Sequence, residues 1–350
     1  MKKALSILTA GCLAVSLAAC GSTAASSAAS AADSTASSAA ESTAATDTAA
    51  TDTAAADGQT YKVGICQLVQ HVALDAATQG FKDALTEQLG DAVTFEEKNA
   101  QGDSNTCSTI INGFVSDNVD LILANATPAL QAAQAGTNTI PVLGTSVTEY
   151  GVALGIDDFD GLVGTNISGT SDLAPLDEQA GIIKELFPDA KTVGLLYCSA
   201  EPNSQYQVDT VKASLEELGY TCEYYAFSDS NDLATVCQSA ADASDVIYVP
   251  TDNTVANNTE IVNNICQPAG VPVVAGEEGI MSGCGVATLS ISYYDLGVAT
   301  GKMAAKILTG ESKVEEMPIE YAPEFTKEYN PTIAEALGIT IPDDYVAYEG

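Results

Sequence analysis

Short apolar runs rich in β-branched residues recur along this chain, and segments with helical spacing lie between them. The runs predict strands at Lys62–Gln67, Val93–Glu97, Asp120–Ala124, Pro141–Gly144, Thr192–Tyr197, Cys222–Phe227, Asp245–Val249, Pro272–Ala275 and Val286–Leu289. In the intervening segments the apolar period changes from 2 to 3.6. Cys107, Ile110, Ile111, Phe114 and Val115 form one stripe behind a capping residue at Asp103. Val208, Val211, Leu215 and Leu218 form another, which Gly219 stops. Alternating strands and helices predict an α/β fold with parallel sheets built from βαβ units.

The pattern occurs twice. Lys62-Val63-Gly64-Ile65 answers Thr192-Val193-Gly194-Leu195, and the helices that follow end alike, at Leu89-Gly90 and Leu218-Gly219. The stretch from Asp120 to Pro128 answers the one from Asp245 to Asn253, and Ile140-Pro141-Val142-Leu143 answers Val271-Pro272-Val273-Val274. Landmarks repeated in one order predict two similar doubly wound lobes. Open parallel sheets bind ligands beyond the carboxyl ends of their strands. Two facing lobes would share one cleft, with Thr127 and Asp252 on opposite walls.

The front of the chain bears on location. Lys2-Lys3, an apolar run from Ala4 to Ala19 and the segment Leu17-Ala18-Ala19-Cys20 resemble a bacterial lipoprotein signal (residues 1–20), with Cys20 the lipidated residue. Several acyl chains at about 0.8 kcal/mol per buried CH₂ give stable anchoring. Residues 21–60 are almost wholly Ala, Ser and Thr with a few acids, a composition that predicts a disordered tether spanning about 30–40 Å.

Composition removes several function classes. With 12 basic against 47 acidic residues the formal charge is −35, which repels phosphate backbones and excludes nucleic acid as a partner. Once Cys12 and Cys20 are set aside, seven cysteines remain, an odd number with no CxxC spacing, so neither a disulfide framework nor a zinc site is predicted. No GxSxG elbow accompanies His71, the sole histidine, and neither a dinucleotide fingerprint nor a phosphate loop is present. The expectation is a protein without catalytic residues, cofactor or metal.

The segments GICQLVQHVALDAATQGFKDAL (64–85), VDLILANATPALQAA (119–133), IPVLGTSVTEYG (140–151), VGTNISGTSD (163–172), DVIYVPTDNTV (245–255) and SYYDLGVATGKMAAKILTG (292–310) carry a resemblance. Together they are similar to the substrate-binding lipoproteins of an ABC transporter family that includes tryptophan and aromatic amino-acid binders. The likeness covers residues 61–350. Two positions depart from the family pattern: Val72 stands where Pro is usual, and Thr148-Glu149-Tyr150 where Thr-Asp-Pro is usual. The resemblance implies a type I periplasmic binding fold whose lobes are joined by a three-strand hinge. Crossings are expected near Gly164–Ser171, Ser290–Tyr293 and Glu311–Met317, so that residues 61–167 with 291–314 make lobe 1, and 168–290 with 315–350 make lobe 2. It also implies a monomeric extracytoplasmic binder that closes on a small ligand, an aromatic or other neutral amino acid, and delivers it to an ABC permease. A sensory lipoprotein, or a binder of a nucleoside-like heterocycle, is the alternative.

An α-amino acid needs a carboxylate for its ammonium and donors for its carboxylate. Asp252 is the expected ammonium partner, with Asn253 capping the helix that follows; a purely capping Asp252 is the competing reading. Thr127, Thr145 and Ser146 in lobe 1 and Ser204 in lobe 2 are expected donors beside helix N-termini. Gln67, His71, Tyr197 and Glu277 follow other strands and complete the candidate lining.

Overall fold

The computed structural model describes residues 58–349; the predicted signal, Cys20 and nearly all of the tether lie outside them. Lobe 1 is built from β1 (Tyr61–Gln67), α1 (Val72–Leu89), β2 (Val93–Asn99), α2 (Ser104–Ser116), β3 (Leu121–Asn125), α3 (Thr127–Gly136), β4 (Val142–Val147), α4 (Tyr150–Leu154) and β5 (Ile167–Ser171). Lobe 2 follows with α5 (Leu176–Leu186), β6 (Thr192–Cys198), α6 (Pro202–Glu217), β7 (Thr221–Phe227), α7 (Ser230–Ala243), β8 (Val246–Val249), α8 (Asn253–Ala256), α9 (Thr259–Ala269), β9 (Val273–Ala275), α10 (Glu278–Cys284) and β10 (Ala287–Ser290). The chain then returns to lobe 1 as α11 (Tyr293–Leu308) and β11 (Glu320–Tyr321). It ends in lobe 2 with β12 (Thr326–Tyr329), α12 (Pro331–Leu337) and β13 (Val346–Ala347).

The sheets run β11-β5-β4-β3-β1-β2 and β13-β12-β10-β9-β8-β6-β7. Their shared part, β2-β1-β3-β4-β5 against β7-β6-β8-β9-β10, is the internal repeat in three dimensions. Equivalent aspartates even do equivalent work. Asp120 accepts the backbone N–H of Lys62 at 2.7 Å, and Asp245 those of Lys191 and Thr192 at 2.8 and 2.9 Å, each tying the start of a central strand to its neighbour.

The central strands of both sheets are covered on both faces, so they read as unbroken apolar runs. On β1, Val63 and Ile65 pack with Phe81 and Leu85 of α1 and Met303 of α11, while Cys66 faces Cys107, Ile111 and Phe114 of α2. The α2 stripe forms as its spacing predicts, and Asp103 caps it by accepting the Thr106 N–H at 2.5 Å. All seven cysteines among the described residues are buried and act as small apolar groups.

Two expectations need correction. The first and third crossings lie later than the resemblance places them. Ile167–Ser171 pairs with β4 and Glu320-Tyr321 pairs with β5, so both stretches belong to lobe 1, and the third crossing falls at 322–325 instead of 311–317. The lobe 2 sheet is also not wholly parallel, because β12 runs antiparallel to β10. These edge segments are short and polar (ISGTS, EY, TKEY), and pairing with a neighbour makes them strands where periodicity does not.

Candidate ligand-binding site

The carboxyl ends of the central strands of the two sheets face each other across the interlobe cleft. On the lobe 1 wall the backbone is strained: Ala126, after β3, has φ 87°, and Ser146, near the end of β4, has φ 54°. On the lobe 2 wall β6 and β8 open into α6 and α8. A cavity of about 200 Å³ lies between the walls, lined by Leu68, Val69, Gly102 and Pro128 from lobe 1 and by Cys198, Glu201, Asn253 and Thr254 from lobe 2. That is smaller than the roughly 300–1,000 Å³ of sites for drug-sized ligands, and it suits a single small solute. A larger groove, about 550 Å³, runs between α11 and residues 320–326. It does not lie at the strand ends.

One side-chain pair bridges the cleft. His71 Nε2 lies 3.3 Å from Asn253 Oδ1, and the Asn253 amide donates in turn to Glu201 Oε2 at 2.7 Å. Glu201 only accepts, so the amide NH₂ must face it and Oδ1 must face His71; His71 Nε2 therefore carries the proton. Burial holds the imidazole below its ordinary pKa, against the pull of Asn253, Glu201 and Asp75. The neutral ring leaves Nδ1 as a buried acceptor with no protein partner. Replacing His71 by alanine is expected to weaken ligand binding about three- to tenfold, the worth of one hydrogen bond, with little change in melting temperature. Calorimetric titration with a scattering measurement of lobe closure checks this; an unchanged affinity would show that the bridge does not favour the closed form.

Asp252 takes the capping role expected of Asn253. Asp252 is the cap: Oδ1 accepts Val255 N–H at 2.9 Å and Oδ2 accepts Cys198 N–H at 2.7 Å. Burial first, then the charge of Glu201, raises its pKa. Glu201 accepts from the backbone and side chains of Asn253 and Thr254. Ser204 is fully buried, and its hydroxyl favours the ionised form of Asp252.

The other candidates are buried as well. Gln67 is satisfied inside lobe 1 by Val69, Asp75 and Thr78. The Tyr197 hydroxyl donates to Gln205 at 2.9 Å and its ring meets Tyr224 edge-on, in the core between β6 and α6. Thr145 accepts from Thr170 at 3.3 Å. Thr127 is buried at the first position of α3, and Ser146 is buried with its hydroxyl unpartnered. Glu277 caps α10 through Gly279 and Ile280; burial pushes it up to about 7, although those N–H groups pull the other way.

Glu201, Asn203 and Asp172 were not anticipated. Asn203 Oδ1 and Asp172 Oδ1 are both buried without a partner. Asp172 follows β5 at the first crossing, where burial pushes it up to about 6. Its position after Ser171 reads as an ordinary polar loop, and the only sequence signal was its place at the end of the segment 163–172.

The electrostatic balance is one-sided. Asp172, Glu201, Asp252 and Glu277 are all buried. All 12 basic residues of the chain are lysines, none is buried among the described residues, and the salt bridges there are formed by other acids.

Two repeated lobes, three crossings and a cleft at the strand ends define a binding protein that closes on its ligand. Residues 62–349 match the family described as ABC transporter substrate binding protein, and the chain belongs to it. A tyrosine-binding protein of Clostridioides difficile is 36% identical over 260 residues, 73% of this chain and 75% of that protein. The solved ABC domain from Streptococcus pneumonia in complex with L-Trp is 33% identical, with TM-score 0.77 over 81% of this chain and 99% of that one. The ligand-free, open structure of a substrate-binding protein with adhesive properties from Clostridium difficile is 38% identical, yet its TM-score is 0.63 over 83% and 100%. In the present arrangement the His71–Asn253 hydrogen bond joins the two lobes. Family members are solute binders that serve ABC permeases outside the cytoplasm. No helix among the described residues is long and apolar enough to cross a membrane.

Proposed function

We propose that this protein captures an aromatic amino acid in its interlobe cleft and hands it to an ABC permease, held at the outer membrane surface by a lipidated Cys20 and the tether that follows. The observation that carries the reading is the set of buried carboxylates at the strand ends and the first crossing without a basic side chain, of which Glu201 lines the cavity. A buried carboxylate favours a cationic partner far more strongly than one in water does. The unpartnered atoms point the same way: His71 Nδ1, Asn203 Oδ1 and Asp172 Oδ1 all accept, and the Ser146 hydroxyl can do either. A ligand rich in N–H donors, such as an ammonium group with an indole N–H or a phenol O–H, meets that demand. The tyrosine- and tryptophan-binding relatives support an aromatic side chain, and the small, partly apolar cavity has room for one.

The chain contains no tryptophan, which permits a direct test. Excited at the red edge of the indole band, the ligand-stripped protein is nearly dark. Added L-tryptophan should show a saturable blue shift, and calorimetry with L-tyrosine and L-phenylalanine covers the other aromatic side chains. Micromolar binding, about −8 kcal/mol, is expected for at least one of the three. Failure of all three would overturn the aromatic assignment.

A further inference from the structure

We propose that Asp172, at the hinge, is the residue that receives the ligand's ammonium group. The inference rests on the amino-acid reading of the cleft and decides which carboxylate does the work. Asking which oxygens meet no donor separates the four candidates. Asp252 has each oxygen committed to a backbone N–H, and so has Glu277. Glu201 accepts five hydrogen bonds over its two oxygens. Asp172 alone has an oxygen, Oδ1, that is buried and unmet.

The surroundings fit this task. Asp172 Oδ2 accepts the hydroxyl of Tyr293 at 2.9 Å, and both residues are almost fully buried. Asp172 lies in the first crossing between the lobes, and Tyr293 opens α11 just after the second. The hydrogen bond between them clasps two hinge strands and aims the carboxylate. Glu277, contributed by lobe 2, stands close enough for the charge of Asp172 to act on it and for its own to act on Tyr293, so negative potential gathers at this point. An ammonium on Asp172 Oδ1 would satisfy the unmet acceptor and offset both charges. Because Glu277 belongs to lobe 2 and Tyr293 to α11 of lobe 1, that offset is largest when the lobes are together, as a closing ligand requires.

The same geometry predicts selectivity. The wild type should bind L-tyrosine much more tightly than its des-amino analogue 3-(4-hydroxyphenyl)propanoate. Asp172→Asn keeps the shape and removes the charge, so it should weaken L-tyrosine binding about 100-fold, barely change the analogue, and thereby abolish the preference. Tyr293→Phe leaves the carboxylate but frees its orientation and should cost less than tenfold. Calorimetric titration of the three proteins, each confirmed folded by its melting transition, supplies the test. If the wild type binds no aromatic amino acid, the aromatic assignment fails separately, and the titrations are repeated with the remaining standard amino acids and with tyramine. A ligand found there and lost in Asp172→Asn supports the assignment. Retention of L-tyrosine affinity within threefold in Asp172→Asn overturns it, as does a wild type that binds none of these ammonium compounds.

Discussion

Valine at position 297 is expected to lower the melting temperature by about 5–10 °C, a loss of about 3 kcal/mol or more. The reason is the approach of α1 and α11, which pack backbone to backbone. A Cβ on Gly297 would lie 2.0 Å from the carbonyl oxygen of Ala77, and one on Gly80 would lie 2.1 Å from that of Tyr294. Backbone cannot rotate away as a long side chain can, so the helices must separate. That separation would open the core around Phe81, Leu85 and Met303 and shift Tyr293 at the start of α11. Gly113→Ala provides the contrast. Its Cβ would meet nothing within 4 Å on helix α2, and the substitution should stabilise by about 0.5–1 kcal/mol. Thermal melts of the two variants decide the matter; an unchanged transition in Gly297→Val would refute close packing of α1 on α11.

The unliganded protein should melt at higher temperature near pH 5 than near pH 7.5, the reverse of the usual behaviour of carboxylates. Asp172 is pushed from 3.8 up to about 6, and Glu277 from 4.5 up to about 7, in both cases by burial. Raised values mean that the folded chain binds these protons more tightly than the unfolded one. Their stabilisation is complete below the unfolded values and is lost as pH rises through the folded ones, by about 3 kcal/mol apiece. The raised Asp252 acts in the same direction. His71 opposes them: its lowered value withdraws stability as pH falls below 6.5. Burial raises Glu278 and Glu328 as well, so one group stands against five. Surface acids with lowered values, such as Asp245 and Asp344, respond only below about pH 4. A bound ammonium favours the ionised carboxylates, so the thermal shift produced by L-tyrosine should be larger at pH 7.5 than at pH 5. Melts across this range, with and without ligand, provide the check. A melting temperature of the unliganded chain that climbs steadily from pH 5 to 7.5 would contradict the burial of these acids without a protein counter-charge.

The sequence by itself determined the architecture wherever local chemistry suffices. The nine anticipated strands all form, within a few residues of their expected ends; the central ones are covered on both faces, and their apolar runs are therefore unbroken. The α2 stripe and its Asp103 cap are legible because 3.6-residue periodicity and capping act within one or two turns. The repeat was legible because Asp120 and Asp245 perform the same tie in each lobe. The family likeness carried the packing of α11 on lobe 1 and the cleft between the lobes.

What only the tertiary structure decided are matters of partners distant in sequence. Ile167–Ser171 and Glu320-Tyr321 become strands by pairing with neighbours, so their polar sequences carried no period to read and the first and third crossings were misplaced. The roles within the site show the same limit. Asp252 looked free to face a ligand, yet Cys198, 54 positions earlier, supplies one of the two N–H groups that occupy it. Asp172 looked like loop, yet Tyr293, 121 positions later, aims one oxygen and burial leaves the other unmet. A carboxylate's availability depends on what surrounds both of its oxygens, and in this chain those surroundings come from other strands and the opposite lobe.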